Sequence, residues 1–227
     1  MKSKDIIIVG GGIGGTAIGA LLAYNGYKIK LFEKNKIIGG RCLTYEYKGF
    51  KVDLGVHLFG VGEKGSLGEV CRRINNPQAI KWVISNHPRP TMYYNGKLEI
   101  YSRKNMCKVI GASEEDMELA MRFFSDIVSM RKKKIRELYY IGLIDFINQY
   151  STNPILHTFV YMISGQYFCT DPQETSTGEF ISCFQQVVNS RASAYPKGGY
   201  VAIPTAFKNC ILENKGEIFL NKPIKKF

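Results

Sequence analysis

The chain has 227 residues, 45% hydrophobic and 22% charged, which excludes a disordered tail, a collagen-like repeat and a coiled coil. Its length suits one large domain or one and a half, and no run of about 18 apolar residues reads as a membrane-spanning helix. Its net charge of +12 has two open readings, compositional drift or an anionic partner, because charge bears on association and not on fold.

Along the chain, Asp5 to Val9 is a β-branched run and predicts a buried strand. A glycine run follows at once. Ile13 to Tyr24 then carries apolar residues at helical spacing, with Gly26 as its stop. Lys28 to Glu33 alternates and predicts a second strand, which completes a βαβ opening. A hairpin is expected over Cys42–Tyr47 and Phe50–Leu54, turned at Lys48-Gly49. Residues 63–74 read as one helix and Trp82–Ile84 as a strand, and Thr91–Ile100 reads as strand turned at Asn95-Gly96. Helices are expected over 113–131, 143–150, 154–165 and 176–188, the first opened by the acids Glu114, Glu115 and Asp116. Pro196 to Tyr200 marks a loop, 203–214 a helix and Glu217–Leu220 a last strand.

Gly10-Gly11-Gly12-Ile13-Gly14-Gly15 fits G-x-G-x-x-G through Gly10, Gly12 and Gly15. Gly10 permits the tight turn, Gly12 lets backbone approach a pyrophosphate, and Gly15 lets the helix pack closely on the strand. The pyrophosphate would then meet the helix N-terminus, where free N–H groups and the dipole favour an anion. The motif alone is weak. Here a strand precedes it, a helix follows, and Glu33 ends the second strand about 20 residues on, placed to accept from a ribose hydroxyl. An acid there repels a 2′-phosphate, which disfavours NADP.

Beyond the glycines come Leu31-Phe32-Glu33-Lys34, Gly39-Gly40-Arg41-Cys42 and Phe50-Lys51-Val52-Asp53-Leu54-Gly55-Val56-His57, then Tyr195-Pro196-Lys197-Gly198-Gly199-Tyr200. Together these resemble the FAD-binding opening of the amine oxidase flavoprotein superfamily, in its phytoene desaturase and carotenoid–retinoid oxidoreductase branch. The resemblance is strong over 5–60, recognisable at 195–220 and vague across 61–190. It implies FAD as cofactor, with the Gly-Gly-Arg segment beside the pyrophosphate and the Asp-x-Gly end of the hairpin leading toward the flavin ring. Arg41 is chemically suited to phosphate, since a guanidinium makes charge-assisted bonds to it. The residues expected to bind cofactor are Gly10, Gly12, Ile13, Gly14, Gly15, Glu33, Lys34, Gly40, Arg41, Gly55 and His57. His57 is expected to line the flavin. No catalytic residue is assigned, because flavin enzymes of this type move hydride through the cofactor.

The implied fold class is α/β: a Rossmann-type FAD-binding domain at 1–80 and 191–227, with a partial mixed α+β substrate domain inserted at 81–190. The implied function is FAD-dependent oxidation, reduction or isomerisation of C–C bonds in an apolar, isoprenoid-like substrate. Two alternatives stay open: a C–N oxidase of the amine oxidase branch, and a non-enzymatic binding protein like the GDP-dissociation inhibitors. The resemblance also implies a chain about twice this long. The sequence therefore reads as truncated at the C-terminus: a fragment, an inactive form, or one half of an enzyme completed by a second chain. A sheet ending here would expose apolar surface and an unpaired edge beside the first strand.

Tyr139, Tyr140, Phe146, Phe159, Tyr161, Met162, Tyr167 and Phe168 have two readings, a helix-bundle core or the lining of an apolar-substrate cap. The basic run Arg131 to Arg136 is either a solvated helix end or a patch for an anionic membrane surface. No nucleic-acid-binding motif accompanies the charge. The six cysteines form no C-x-x-C pair and the N-terminus lacks a secretion signal, so reduced thiols in a cytoplasmic protein, peripheral on a membrane if at all, are expected. The three histidines show no metal-ligand spacing and no metal is expected.

Overall fold

The computed structural model describes residues 5–55, 61–85, 91–100, 102–168, 170–190 and 193–226. In chain order the strands and helices are β1 (Asp5–Val9), α1 (Ile13–Tyr24), β2 (Lys28–Phe32), β3 (Cys42–Tyr47), β4 (Phe50–Gly55), α2 (Ser66–Arg73), β5 (Trp82–Ser85), β6 (Thr91–Tyr94), β7 (Lys97–Ile100), α3 (Arg103–Ile110), α4 (Glu114–Ser129), α5 (Lys132–Glu137), α6 (Leu143–Tyr150), α7 (Pro154–Phe168), α8 (Thr177–Ser190), β8 (Ser193–Pro196), α9 (Ala202–Glu213) and β9 (Glu217–Phe219). They form two compact units, Met1–Ser85 with Ala192–Phe227, and Asn86–Arg191.

In the first unit β1, β2 and β9 make a parallel sheet with β2 in the middle. Ile8, Ile29 and Leu31 are buried beneath α1 and α9, with Ile203, Phe207 and Ile211 facing them from α9. The two helices lie so close that a Cβ on Gly19 would stand 2.8 Å from Ile211 Cδ1. Among the described residues β1 has a neighbour on one side only, and Ile7 and Val9 are 65% and 46% exposed. The βαβ opening and the α9–β9 return thus make a mixed α/β, Rossmann-like unit. The β3–β4 hairpin turns at Lys48 and Gly49, both at positive φ, the geometry of a tight two-residue hairpin turn. β5 pairs antiparallel with β8 from the far end of the chain.

The second unit is helical apart from the β6–β7 hairpin. Its core gathers Phe123, Ile127, Leu143, Ile147, Leu156, Val160, Phe180 and Ile181, all almost wholly buried. Ser113 opens α4 with a complete capping box, its hydroxyl taking the Asp116 N–H while Asp116 reaches back. Gln185 closes the other end, its Nε2 donating to the carbonyls of Ile127, Val128 and Met130. Among the described residues no helix is long and apolar enough to cross a membrane.

Several elements depart from the sequence reading. The single helix expected over 63–74 is a short 3-10 turn at Gly62–Lys64 followed by α2, separated by the extended Gly65. The basic run is a helix of its own, α5, which buries Ile135 and pairs Lys134 with Glu137 at 3.2 Å. α3 falls within the stretch from about 102 to 190 read as helical in period but outside the helices delimited there, and its signal is local: the Ser102 hydroxyl accepts from Asn105 N–H and Gly111 ends it in the left-handed region. β8 carries no expected element before Pro196, where a loop was read, and its ladder to β5, running from Ser85↔Ser193 to Trp82↔Pro196, is too non-local for sequence patterning to reveal. Of the aromatic residues given two readings, Phe146, Phe159 and Phe168 pack on the helical core, whereas Tyr140 is fully exposed and Tyr139, Tyr161 and Met162 are more than a third exposed. The side chain of Tyr167 lies outside the described residues.

Candidate functional site

The glycine run is built as a turn with an open face. Gly10 has φ +102°, which favours glycine, and its N–H donates to Phe32 O at 2.8 Å. A Cβ on Gly10, Gly12 or Gly14 would meet nothing within 4 Å, so this side of the turn is free for a ligand. Gly15 is different, since its Cβ would stand 2.0 Å from Gly10 O and 3.4 Å from Ile8 Cγ2. Glycine is needed there for the helix to close on the turn. The N-cap of α1 is Gly12; no side chain caps this end, and no acid stands in its first turn. These N–H groups and the positive end of the helix dipole are suited to an anion.

Glu33 is 5% exposed. Its Oε2 accepts from Gly11 N–H at 2.6 Å and its Oε1 from Asn35 N–H at 2.9 Å. Its own N–H donates to Phe219 O, and its carbonyl accepts from Lys222 N–H, both at 2.9 Å. The carboxylate therefore holds the glycine turn onto the end of β2. Each carboxylate oxygen keeps a further lone pair for a ribose hydroxyl.

The Gly39–Gly40–Arg41 segment lies along the same turn. Gly39 N–H donates to Gly11 O at 2.9 Å, and Gly39 and Gly12 form a parallel bridge. A Cβ on Gly40 would be 3.3 Å from Gly12 Cα, and both Gly39 and Gly40 have positive φ. Arg41 is exposed at the start of β3, and a Cβ on Gly55, at the end of β4, would stand 2.7 Å from Arg41 O. Ile13 begins α1, half-buried, and Lys34 is exposed beyond β2. His57 lies outside the described residues, as does His87. His157 sits in α7, its ring Nε2 3.0 Å from Ser151 O.

Four contributors, Gly11, Thr44, Tyr195 and Tyr200, were given no role of this kind from the sequence. Gly11 supplies the N–H for Glu33, and its Cβ would be 3.0 Å from Ile38 Cγ2. Thr44 and Tyr195 both bond Asp53 through their hydroxyls, and Tyr200 N–H reaches the same carboxylate at 2.9 Å. Burial raises the Asp53 pKa, but these three bonds outweigh it and the net shift is downward. Burial and the bond to Asp53 push Tyr195 up to about 12. Burial also raises the Cys42 thiol, which stays neutral beside the glycine segment. Five described cysteines are free thiols. Among the described residues no group of three His, Cys, Asp or Glu could hold a metal ion.

Residues 8–74, which hold the glycine turn, Glu33, Gly39–Arg41 and Asp53, match the NAD(P)-binding Rossmann-like domain family. The chain carries an NAD(P)-binding Rossmann-like domain. It is 25% identical to an inactive all-trans-retinol 13,14-reductase of Danio rerio, over 98% of this chain and 42% of the relative. It is 26% identical to a 4,4′-diapophytoene desaturase (4,4′-diapolycopene-forming) of Methylomonas sp, over 99% of this chain and 48% of the relative. Among solved structures, an oxidoreductase from Methanosarcina mazei matches with a TM-score of 0.72 at 21% identity, over 96% of this chain and 51% of that one, which speaks to the fold. The chain spans about half the length of the curated relatives it matches. It is a homologue of retinol reductases and diapophytoene desaturases over their N-terminal portion.

Proposed function

We propose that this Rossmann-like domain holds FAD for an oxidoreductase acting on carbon–carbon bonds of an apolar, isoprenoid-like substrate. The observation that carries the reading is the Gly39–Gly40–Arg41 segment laid against Gly11 and Gly12, beside a glycine turn whose outer face is open. The relatives named for retinol reduction and diapophytoene desaturation supply the substrate class.

In this reading Gly10, Gly12 and Gly14 leave room for a pyrophosphate, and the first turn of α1 offers its N–H groups. Arg41 neutralises phosphate charge with a guanidinium from the rim. Glu33 fixes the turn and offers its remaining lone pairs to the ribose. Bound FAD would supply the hydride-accepting or hydride-donating ring. Two features support a second proposal, that further polypeptide completes the sheet and walls off the flavin from water: β1 has a neighbour on one side only among the described residues, and Ile7 and Val9 are exposed on the sheet face opposite Ile8.

The test is the cofactor released by heat from purified protein and identified by chromatography. FAD is the expected product; stoichiometric NAD without flavin refutes the reading. The isolated chain is expected to bind FAD weakly and to turn over no isoprenoid. Turnover with flavin bound one to one would refute the need for further polypeptide. A second reading, a non-catalytic flavin or lipid binder, has one observation in its favour: the Danio rerio relative is itself named inactive.

A further inference from the structure

The bonds around Asp53 join chain segments about 150 positions apart. On β3 and β4, Thr44 and Asp53 face each other as a cross-strand pair. Asp53 Oδ1 accepts from the Thr44 hydroxyl and from Tyr200 N–H at 2.9 Å, and Oδ2 accepts from the Tyr195 hydroxyl. Thr44 Oγ1 in turn accepts from Val201 N–H at 3.1 Å. Val201 is the N-cap of α9, an end that no side chain of its own segment caps. The hairpin thus supplies two acceptors to consecutive N–H groups leading into α9, and places a carboxylate at the positive end of that helix.

The fit leaves no room for another side chain. A Cβ on Gly199 would stand 2.5 Å from Thr44 Oγ1 and 3.0 Å from Asp53 Oδ1, and Gly199 has φ +90°. Lys51 Nζ adds a long contact of 3.4 Å to Gly198 O. The bonds close a ring. α9 packs on α1, where Cys210 Sγ lies 3.7 Å from Ala20 O. α1 begins at the glycine turn, the turn holds Gly39 and Gly40, and these lead through Arg41 into β3. Asp53 is where the ring shuts. Without it the hairpin is tied down at its Gly39–Cys42 end, and the Thr44 bond to Val201 N–H and the long Lys51 contact to Gly198 O remain.

We propose that Asp53 is a positioning residue that clasps the β3–β4 hairpin to the start of α9 and thereby fixes Arg41 over the dinucleotide site. The dinucleotide half of this proposal rests on the FAD reading above; the clasp half does not. Asp53 touches no cofactor in this scheme, and its effect on binding passes through the hairpin that carries Arg41.

The experiment uses the full chain and two readouts, hydrogen exchange by segment and FAD affinity by fluorescence titration. Asp53→Asn removes the charge and turns one acceptor into a donor, facing either the Tyr195 hydroxyl or the Thr44 hydroxyl and Tyr200 N–H. It is expected to speed exchange over 42–55 and 195–201 while sparing β1, α1 and β2, and to weaken FAD by about tenfold, as for a lost hydrogen bond to a charged group. Thr44→Val should do the same to a smaller degree, and Thr44→Ser, which keeps the hydroxyl, should restore wild-type values. Tyr195→Phe is the mildest probe and keeps the measurement open if Asp53→Asn does not fold. Unchanged exchange over 42–55 in folded Asp53→Asn or Tyr195→Phe overturns the clasp. Faster exchange with unchanged FAD affinity overturns the positioning role. Absence of FAD binding by the wild-type chain overturns the dinucleotide half alone, because exchange still reports on the clasp.

Discussion

The two units use their residues in opposite ways. In the first, chemistry sits on backbone: glycines keep space empty, and Glu33 spends its carboxylate on the N–H groups of Gly11 and Asn35. In the second, side-chain volume does the work, with Phe123, Phe180, Leu143 and Ile147 wholly buried and small hydroxyls, those of Ser164, Thr175 and Thr177, as the buried polar side chains among the described residues. A site built on backbone tolerates little added volume, whereas a core built on volume tolerates little removal. The contrast says where damage will show: as lost ligand in the first unit, and as lost stability in the second.

The largest expected effect is in the second unit. Phe180→Ala leaves a cavity under α8 and should cost about 3–5 kcal/mol. Thermal unfolding of the α4–α8 helices should report it while FAD affinity stays at wild type, and a matching fall in affinity would break the contrast. Gly15→Ala should be next, with a cost at or above about 3 kcal/mol, because the added methyl meets the Gly10 carbonyl and backbone cannot turn away. Here FAD binding should vanish, and exchange should rise over 5–33 while α4 to α8 stay protected.

Glu33→Gln sharpens the comparison at a smaller scale. One oxygen remains for one of the two amides, so about 1.5–3 kcal/mol of charge-assisted bonding is at stake and FAD affinity should fall about tenfold or more. Glu33→Lys should be worse, since it buries a cation among N–H donors. Unchanged affinity in either folded variant would remove Glu33 from the site. Ser113→Ala, which breaks the capping box of α4, should lower stability by about 1 kcal/mol and leave FAD binding alone.

The smallest effect is a pH dependence. The folded-state pKa of Asp53 is lowered, so its contribution is present above the ordinary aspartate value and is lost as pH falls through the folded value. Tyr195, Tyr200 and Cys42, which face it, have raised values and stay protonated throughout. Exchange over the hairpin, corrected for its intrinsic pH dependence, should therefore rise below about pH 4 in the wild type. It should be flat with pH in Asp53→Asn.

The legible parts of this molecule were those whose cause is local. The β1–α1–β2 opening follows from a β-branched run, then apolar period 3.6, then alternation, punctuated by glycine. Gly10 and the Lys48-Gly49 turn announce positive φ by residue type. The role of Gly11 was illegible because it depends on Glu33, a residue brought back by the sheet. The Asp53 network needs Tyr195 and Tyr200 from the far end of the chain, and β8 is a strand only because β5 lies beside it. In the second unit the apolar periodicity located α4 and α6 to α8, but α5, with six residues of which Lys132, Lys133, Lys134 and Arg136 are basic, hides its buried Ile135 behind charge.

The first unit is made of two stretches of chain separated by the whole of the second, and this has a consequence in time. α9 meets α1 through residues 190 positions apart, and β9 must cross the same gap to reach β2. At ribosomal speeds of roughly 5–20 residues per second, α1 and β2 wait roughly 10–40 s for these partners to be synthesised. During that wait Ile29, Leu31 and the Gly19 face of α1 have no α9 to cover them. The second unit, contiguous in sequence, has its whole core in hand first. A pulse of synthesis stopped near residue 191 would catch the chain with its helical unit folded and its nucleotide-binding unit still open to chaperones.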